Sequence, residues 1–286
     1  MDLSMHTIEI KEREYLSLVK LIYEKSGINL GDNKQELLKS RLGKRLRALG
    51  LMSYGEYFEY ATDPQNEAEL IHLINAISTN FTAFYREKRH YEFLKKVVLG
   101  EITRKKEASR TNKIRAWCAA ASSGEEPYTL GLTLLEYFKD APAAWDIKLL
   151  ATDISSEVLK EAFLGSYSAE KVKAVAPYLL RTYFDREFSE KGDIYHVKEE
   201  VKRLIVFRRL NLMDRSFPFR GPFDFIFCRN VMIYFDVPTQ EALVEKLLKY
   251  LTVGGYFFTS HSENLPQKFR GRLEAQAPSV YRKIRE

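Results

Sequence analysis

Apolar residues in the first quarter of the chain recur every three to four positions, with polar residues filling the gaps. Over residues 9–26, Leu16, Val19, Leu21, Ile22 and Tyr23 fall close to a 3.6-residue period, which predicts a helix ended by Gly27. Over residues 34–49, Leu38, Leu42, Leu46 and Leu49 make one stripe, with Lys34, Arg41 and Arg45 in a row beside it. Such a helix packs on its leucines and shows its charge to solvent, and Gly50 is its expected C-cap. Residues 53–60 and 67–77 complete a small bundle, broken by Asp63-Pro64. From Ile114 the texture changes. Short apolar runs at 114–119, 147–152, 204–207 and 223–228 read as strands, followed by two more at 256–260 and 280–284. Helices are expected over 127–138, from about Ser155, and over 238–251, the last closed by Gly254-Gly255. Strands alternating with helices predict an α/β fold with a mostly parallel, doubly wound sheet. Over about 181–203 the apolar spacing turns short and alternating (Tyr183, Phe184, Phe188, Ile194, Tyr195, Val197), which predicts a small antiparallel β insert. Residues 101–113 read as a charged connector.

Length and charge sharpen this picture. The 286 residues suit two modest domains, and 45% apolar content is enough to build cores. No apolar run approaches the roughly 18 residues of a membrane helix. Asp2 and Glu9 stand where an export signal would be basic and apolar, so a cytoplasmic location is expected. Two cysteines, Cys118 and Cys228, exclude a disulfide scaffold and a Cys-rich zinc site. Histidines 6, 72, 90, 196 and 261 show no metal-ligand spacing, and no metal is expected. Residues 1–90 balance thirteen basic against thirteen acidic residues, yet residues 34–49 hold six basic residues against Glu36. A basic strip in a neutral module points to one acidic partner surface. It reads equally as a solvated helix face.

In open α/β sheets ligands bind beyond the carboxyl ends of the strands, and four such ends here are polar. Ser122-Ser123-Gly124-Glu125-Glu126 follows the first strand. These acids would repel a phosphate but accept a cation or a sugar hydroxyl, or else they simply open a helix. Asp153, ending the second strand, is either a ribose-hydroxyl acceptor or, with Ser155, a helix cap. Asn211 with Leu212 could read and cover an adenine ring. Arg229 and Asn230 end the fourth strand, with Tyr234 just beyond as a cleft or core tyrosine. Asn80, Thr82 and Arg86 share one stretch between the modules, and His261 is a candidate for the cleft wall. There is no hydrolase elbow and no Walker loop.

The runs ISTNFTAFYRE (77–87), RAWCAAASSGEEPYTLGL (115–132), LLATDIS (149–155), FDFIFCRNVMIYFD (223–236) and GGYFFTSHSENL (254–265) together resemble the chemotaxis receptor methyltransferase family, CheR. The resemblance implies an all-α N-terminal domain (1–78) for receptor recognition and a linker (79–90) contributing to the cofactor site. It implies a Rossmann-like SAM-dependent methyltransferase domain (91–286) carrying the β insert. It further implies methyl transfer from S-adenosylmethionine, leaving S-adenosylhomocysteine, to glutamates of chemoreceptor cytoplasmic helices. The family's cofactor contacts fall on Asn80, Thr82, Arg86, Glu125 or Glu126, Asp153, Asn211, Leu212, Arg229 and Asn230. Tyr234 matches a tyrosine near the methyl group. The usual Gly-x-Gly loop of the broader methyltransferase class is replaced by residues 119–124. The insert has only Gly192 where members that grip a receptor-tail pentapeptide carry a glycine-rich turn, so tether-independent action is expected.

A glutamate carboxylate is ionised at neutral pH and needs no general base, so the lack of a catalytic His or Cys dyad is expected. The enzyme must position the acceptor and exclude water, for which Phe81, Phe84, Tyr234 and Phe235 are available. Tyr234 is expected to align the acceptor, with Arg86 between the two substrates. Lys34, Arg41, Lys44 and Arg45 are expected to meet the acidic receptor helices. A monomer is expected, with no nucleic-acid partner and no direct membrane insertion. The rival readings are a methyltransferase acting on RNA or a small acid, and a non-catalytic cofactor-binding scaffold.

Overall fold

A computed structural model describes residues 8–31, 34–140, 144–190 and 192–286; Asp2 and His6 lie outside the described residues. Four helices open the chain: α1 (Glu12–Ser26), α2 (Gln35–Leu49), α3 (Tyr54–Thr62) and α4 (Glu67–Ile77). Their ends follow the local chemistry. Gly50 closes α2 with a left-handed φ of 70°. The Ser53 hydroxyl accepts from the Glu56 amide at 3.1 Å to open α3. Asp63 accepts from the Gln65 amide at 2.8 Å and starts the single turn Pro64–Asn66. Leu38, Leu42 and Leu46 are fully buried, as the stripe requires, while Leu49 is half-buried at its end.

The buried face of α1 is not the expected one. Tyr15, Leu18, Leu21 and Ile22 point inward, whereas Leu16 is 52% exposed. Tyr23 turns outward, and its hydroxyl donates to the Asp236 carboxylate at 2.9 Å, tying the helical module to the sheet module. The expected charged connector at 101–113 is also mostly helix. After α5 (Arg89–Phe93) the chain passes through a π-helical turn, Leu94–Val98, into α6 (Leu99–Ala108). Buried Leu99 and Ile102 anchor α6, and Lys106 pairs with Asp224 at 2.7 Å.

The second module alternates β1 (Lys113–Ala119), α7 (Glu125–Phe138), β2 (Asp146–Asp153) and α8 (Ser156–Leu164). It continues with β3 (Ser166–Ser168), α9 (Pro177–Tyr183), β4 (Phe184–Glu187), β5 (Ile194–Val197), α10 (Glu199–Lys202) and β6 (Ile205–Arg209). It ends with β7 (Phe223–Cys228), α11 (Val237–Lys249), β8 (Leu251–Phe258), β9 (Leu273–Ala277) and β10 (Val280–Lys283). The main sheet has the order β6-β2-β1-β7-β8-β10-β9. Its first five strands run parallel, and β10 pairs antiparallel with both β8 and β9. All six residues of β7 are buried, as expected for a strand covered on both faces.

Gly254 and Gly255 do not close α11, which ends at Lys249; they lie inside β8. The β insert is a separate sheet of order β3-β5-β4, so it begins at Ser166, well before residue 181. No helix among the described residues is long and apolar enough to cross a membrane.

Candidate functional site

The C-terminal ends of β1, β2, β6 and β7 open onto one cleft, at the edge where open α/β sheets bind their ligands. The helical module covers it. The backbone carbonyl of Lys25 accepts from Asn211 Nδ2 at 2.6 Å, and the Asn29 amide donates to the Tyr234 carbonyl at 2.8 Å. Gly27 sits at this seam with φ 73°, and a Cβ there would lie 2.5 Å from the Met213 sulfur. Backbone conformation and close approach both demand glycine at that position.

The turn from β1 into α7 manages without a Gly-x-Gly sequence. Ala120 and Ser122 adopt φ of 66° and 49°, conformations costing a non-glycine residue about 1–3 kcal/mol each. Several bonds hold them there. The Ser122 amide donates to Asp153 Oδ2 at 2.9 Å, and the Ser122 hydroxyl donates to the Asn80 carbonyl at 2.8 Å. From the insert, the Tyr167 hydroxyl donates to the Ser123 carbonyl at 2.7 Å. A Cβ on Gly124 would meet that same hydroxyl at 2.6 Å.

Asp153 serves the local turn and also faces the cleft. Its carboxylate orders the turn and accepts from the Ser155 amide at 2.9 Å, while the residue lines the cleft. Burial raises its pKa, against the lowering effect of the Ser155, Ser122 and Ile154 amides. Ser155 itself is the N-cap of α8.

The two glutamates of α7 part company. Glu126 lines the cleft. Glu125 does not: its side chain accepts from the Ser123 hydroxyl at 2.7 Å and pairs with Lys171 at 3.1 Å, so it is buried toward the insert. Successive helical residues point about 100° apart, and only one of the pair can face the cavity. Glu126 accepts from the Arg229 guanidinium, from the Tyr91 hydroxyl at 3.5 Å and from the Cys118 thiol at 3.3 Å. Burial, together with Glu126, pushes the Cys118 thiol well above its usual pKa.

Arg229 is completely buried and spans two carboxylates, Glu126 and, at 3.2 Å, Glu87; it also donates to the Arg86 carbonyl at 2.8 Å. Burial alone would raise the Glu87 pKa, but Arg229, with His90 and His261, holds it below the ordinary value. Asn230 has a left-handed φ of 57°. The turn it begins is cradled by Glu263, whose carboxylate accepts from the Asn230, Val231 and Met232 amides at 3.0, 2.9 and 2.8 Å.

Asn80, Thr82, Arg86, Asn211, Leu212, Asn230 and Tyr234 all reach the same cleft, although they are spread over three segments. Arg86 lies over the exposed Phe81 ring at 5.4 Å and donates to the Phe81 carbonyl at 2.9 Å. Phe84, expected to exclude water, instead packs in the core against Tyr167 at 5.0 Å and Phe184 at 6.0 Å. His261 is not a cleft residue; it faces Glu87 and His90.

The basic strip on α2 divides. Lys34, Arg41 and Lys44 are exposed. Arg45 is instead bound by the buried Glu69 carboxylate through three hydrogen bonds of 2.5–3.1 Å, and Glu69 also accepts from the Tyr57 hydroxyl at 2.9 Å. Arg45 therefore holds α2 to α4, with its side chain half-exposed.

Tyr91, Cys118, Glu87 and Glu263 were not singled out as site residues by the sequence. Glu263 sits in the quoted SHSENL run and Glu87 ends YRE, so the runs contained them, but their partners lie far along the chain.

Two family models match. The CheR methyltransferase all-alpha domain covers residues 13–78, and the CheR methyltransferase SAM binding domain covers residues 80–279. The chemotaxis protein methyltransferase of Borreliella burgdorferi is 40% identical, over 96% of each chain. That of Salmonella typhimurium is 38% identical over 96% of this chain and 91% of the relative. That of Escherichia coli is 36% identical over 96% and 92%. The cleft contains an acid inside it (Glu126), a second at its β2 rim (Asp153) and an amide beside an apolar wall (Asn211, Leu212). These are donors and acceptors that fit an ammonium, a ribose and an adenine. A helical module seated on the C-terminal edge of a methyltransferase sheet, with one model matching residues 13–78 and the other 80–279, identifies the chain as a member of the CheR family of SAM-dependent chemotaxis methyltransferases.

Proposed function

We propose that the chain methylates glutamate side chains on the cytoplasmic helices of chemoreceptors, producing glutamyl methyl esters for sensory adaptation. When bound, S-adenosylmethionine supplies an electrophilic methyl group. Glu126, fixed by Arg229, Cys118 and Tyr91, is the group to take the cofactor's ammonium. Asp153 would take the ribose hydroxyls, and Asn211 with Leu212 would take the adenine. Arg229 acts as a positioning residue, since its guanidinium is occupied by Glu87 and Glu126.

The observation that carries this reading is the absence of a free base. Among the described residues lining the cleft, the ionisable ones are Arg86, Glu126, Asp153, Arg229 and Tyr234. Glu126 is committed to Arg229, and Asp153 to backbone amides. An acceptor that must lose a proton finds no catalyst there, whereas a carboxylate arrives already ionised. Tyr234 can orient one acceptor oxygen with a neutral hydrogen bond, which leaves the nucleophilic charge in place. Arg86, which also lines the cleft, would stand between cofactor and acceptor.

The exposed Lys34, Arg41 and Lys44 support an acidic helical partner. Arg41 lies 3.4 Å from the Ala76 carbonyl, at the end of the helix that leads into the Ser78–Thr82 wall of the cleft. Charges at such a rim chiefly raise the association rate.

Incubation with a radiolabelled methyl donor and a demethylated receptor fragment tests the reading. Base-labile label on glutamate is expected. Label that resists base, or that requires RNA, overturns it. Loss of one neutral hydrogen bond, about 1 kcal/mol, should slow single turnover of Y234F by about fivefold.

A further inference from the structure

We propose that Glu87, His90 and His261 form a binding site for a divalent transition-metal ion of the zinc type, on the far side of Arg229 from the methyl-transfer cleft. Their ligating atoms, one carboxylate oxygen and two imidazole nitrogens, lie within 4.8 Å of one another. Glu87 Oε2 is 3.4 Å from His90 Nδ1 and 3.9 Å from His261 Nε2. A tetrahedral ion with bonds of about 2.1 Å holds its ligand atoms about 3.4 Å apart. The Glu87–His90 pair already has this spacing. His261, whose side chain is 47% exposed, has room to close the remaining distance of on the order of 1 Å.

The two rings are held as metal ligands usually are, through the nitrogen that does not bind. His90 Nε2 meets the Pro278 carbonyl at 3.3 Å, so the proton of the neutral ring sits there and Nδ1 presents a lone pair. His261 Nδ1 meets the Ser279 hydroxyl at 3.4 Å, leaving Nε2 toward Glu87. His90 is 2% exposed, yet its Nδ1 has no hydrogen-bond partner. A buried lone pair facing a carboxylate oxygen at 3.4 Å is unfavourable unless something electropositive lies between them. Glu87 sits on a backbone with φ 57°, a strained conformation for a glutamate, and its carbonyl accepts from the His90 amide at 3.0 Å at the start of α5.

The nearby cation does not close the site. Arg229 is shared with Glu126, so two carboxylates face one guanidinium and the cluster keeps one negative charge in excess. Three protein ligands leave a fourth position for water or an outside ligand, and the exposed His261 faces an open surface pocket bounded by Asn264 and residues 275–279.

The test is titration of the chelator-treated full chain with Co²⁺ and Zn²⁺, followed by visible absorption and calorimetry. The expected result is one ion per chain with the intense absorption of tetrahedral cobalt, displaced by zinc. H261A removes an exposed ligand with little risk to the fold and should weaken binding about 100-fold or more; H90Q should do the same, with folding verified by circular dichroism. No stoichiometric binding by the native chain, or equal binding by the native chain and H261A, overturns the proposal.

Discussion

Arg45 in the helical module and Arg229 in the sheet module have similar chemistry and different duties. Each sits against a buried carboxylate backed by a tyrosine hydroxyl: Glu69 with Tyr57, and Glu126 with Tyr91. Arg45 bridges two helices and opens onto solvent. Arg229 bridges two carboxylates, is fully buried, and has the cofactor cleft on its other side. The same ion pair thus serves as a clasp in one module and as the mount for a cleft-lining acid in the other. What separates them is only what lies behind the carboxylate.

Breaking the Arg229 mount should produce the largest effect. R229A strands Glu87 and Glu126 in the interior and should cost about 3–5 kcal/mol of stability together with cofactor binding. Denaturant titration and calorimetry with S-adenosylhomocysteine read both. E126Q should spare more stability than R229A while still weakening the cofactor, which separates mounting from binding.

A pH titration probes the same region. Burial, then Arg229, holds the His90 pKa down at about 4, against 6.5 for the free side chain. The unfolded chain therefore takes up a proton that the folded chain refuses. Stability is fully present above pH 6.5 and falls as pH drops toward 4, by up to about 3 kcal/mol in chelator-containing buffer. H90Q should flatten that slope.

The clasp comes next. R45A leaves Glu69 buried with Tyr57 alone and should cost about 2 kcal/mol, with cofactor affinity unchanged. The smallest effect on stability belongs to R41E, within about 0.5 kcal/mol. Its apparent KM for receptor should nevertheless rise at low salt and converge on the native value at high salt. If R45A and R41E raised KM equally without loss of stability, Arg45 would belong to the docking face after all.

This division was only partly legible in the sequence. The bundle helices were, because their stripes, caps and breaks are local: Leu38, Leu42, Leu46, Gly50, Ser53 and Asp63-Pro64 all act within a few residues. The α1 face is not legible because Leu16 and Tyr23 look as apolar as Tyr15 and Leu18, and the choice between them is made by α3 and α4. Residues 101–108 looked like a connector because two buried anchors, Leu99 and Ile102, are outvoted by charges that solvent tolerates. The strand Ser166–Ser168 is too short to show alternation.

The cleft was legible where family-like runs carry it and illegible where pairing is distant. Nothing local separates Glu125 from Glu126; Lys171 claims one and Arg229 the other. Nothing near Arg45 announces Glu69. Spacing along the chain does not reveal the histidine cluster, because Glu87-x-x-His90 is completed by His261, just past β8.

The hydroxyl of Tyr167 reaches out of the small three-stranded sheet to hold the Ser123 carbonyl, where the first strand gives way to its helix. The appendage is thereby a brace for the wall of the cleft, which forms a chamber beneath the helical module. Whatever leans on that appendage from outside also leans on the chamber, and exchanging it between relatives would require this tyrosine to travel with it.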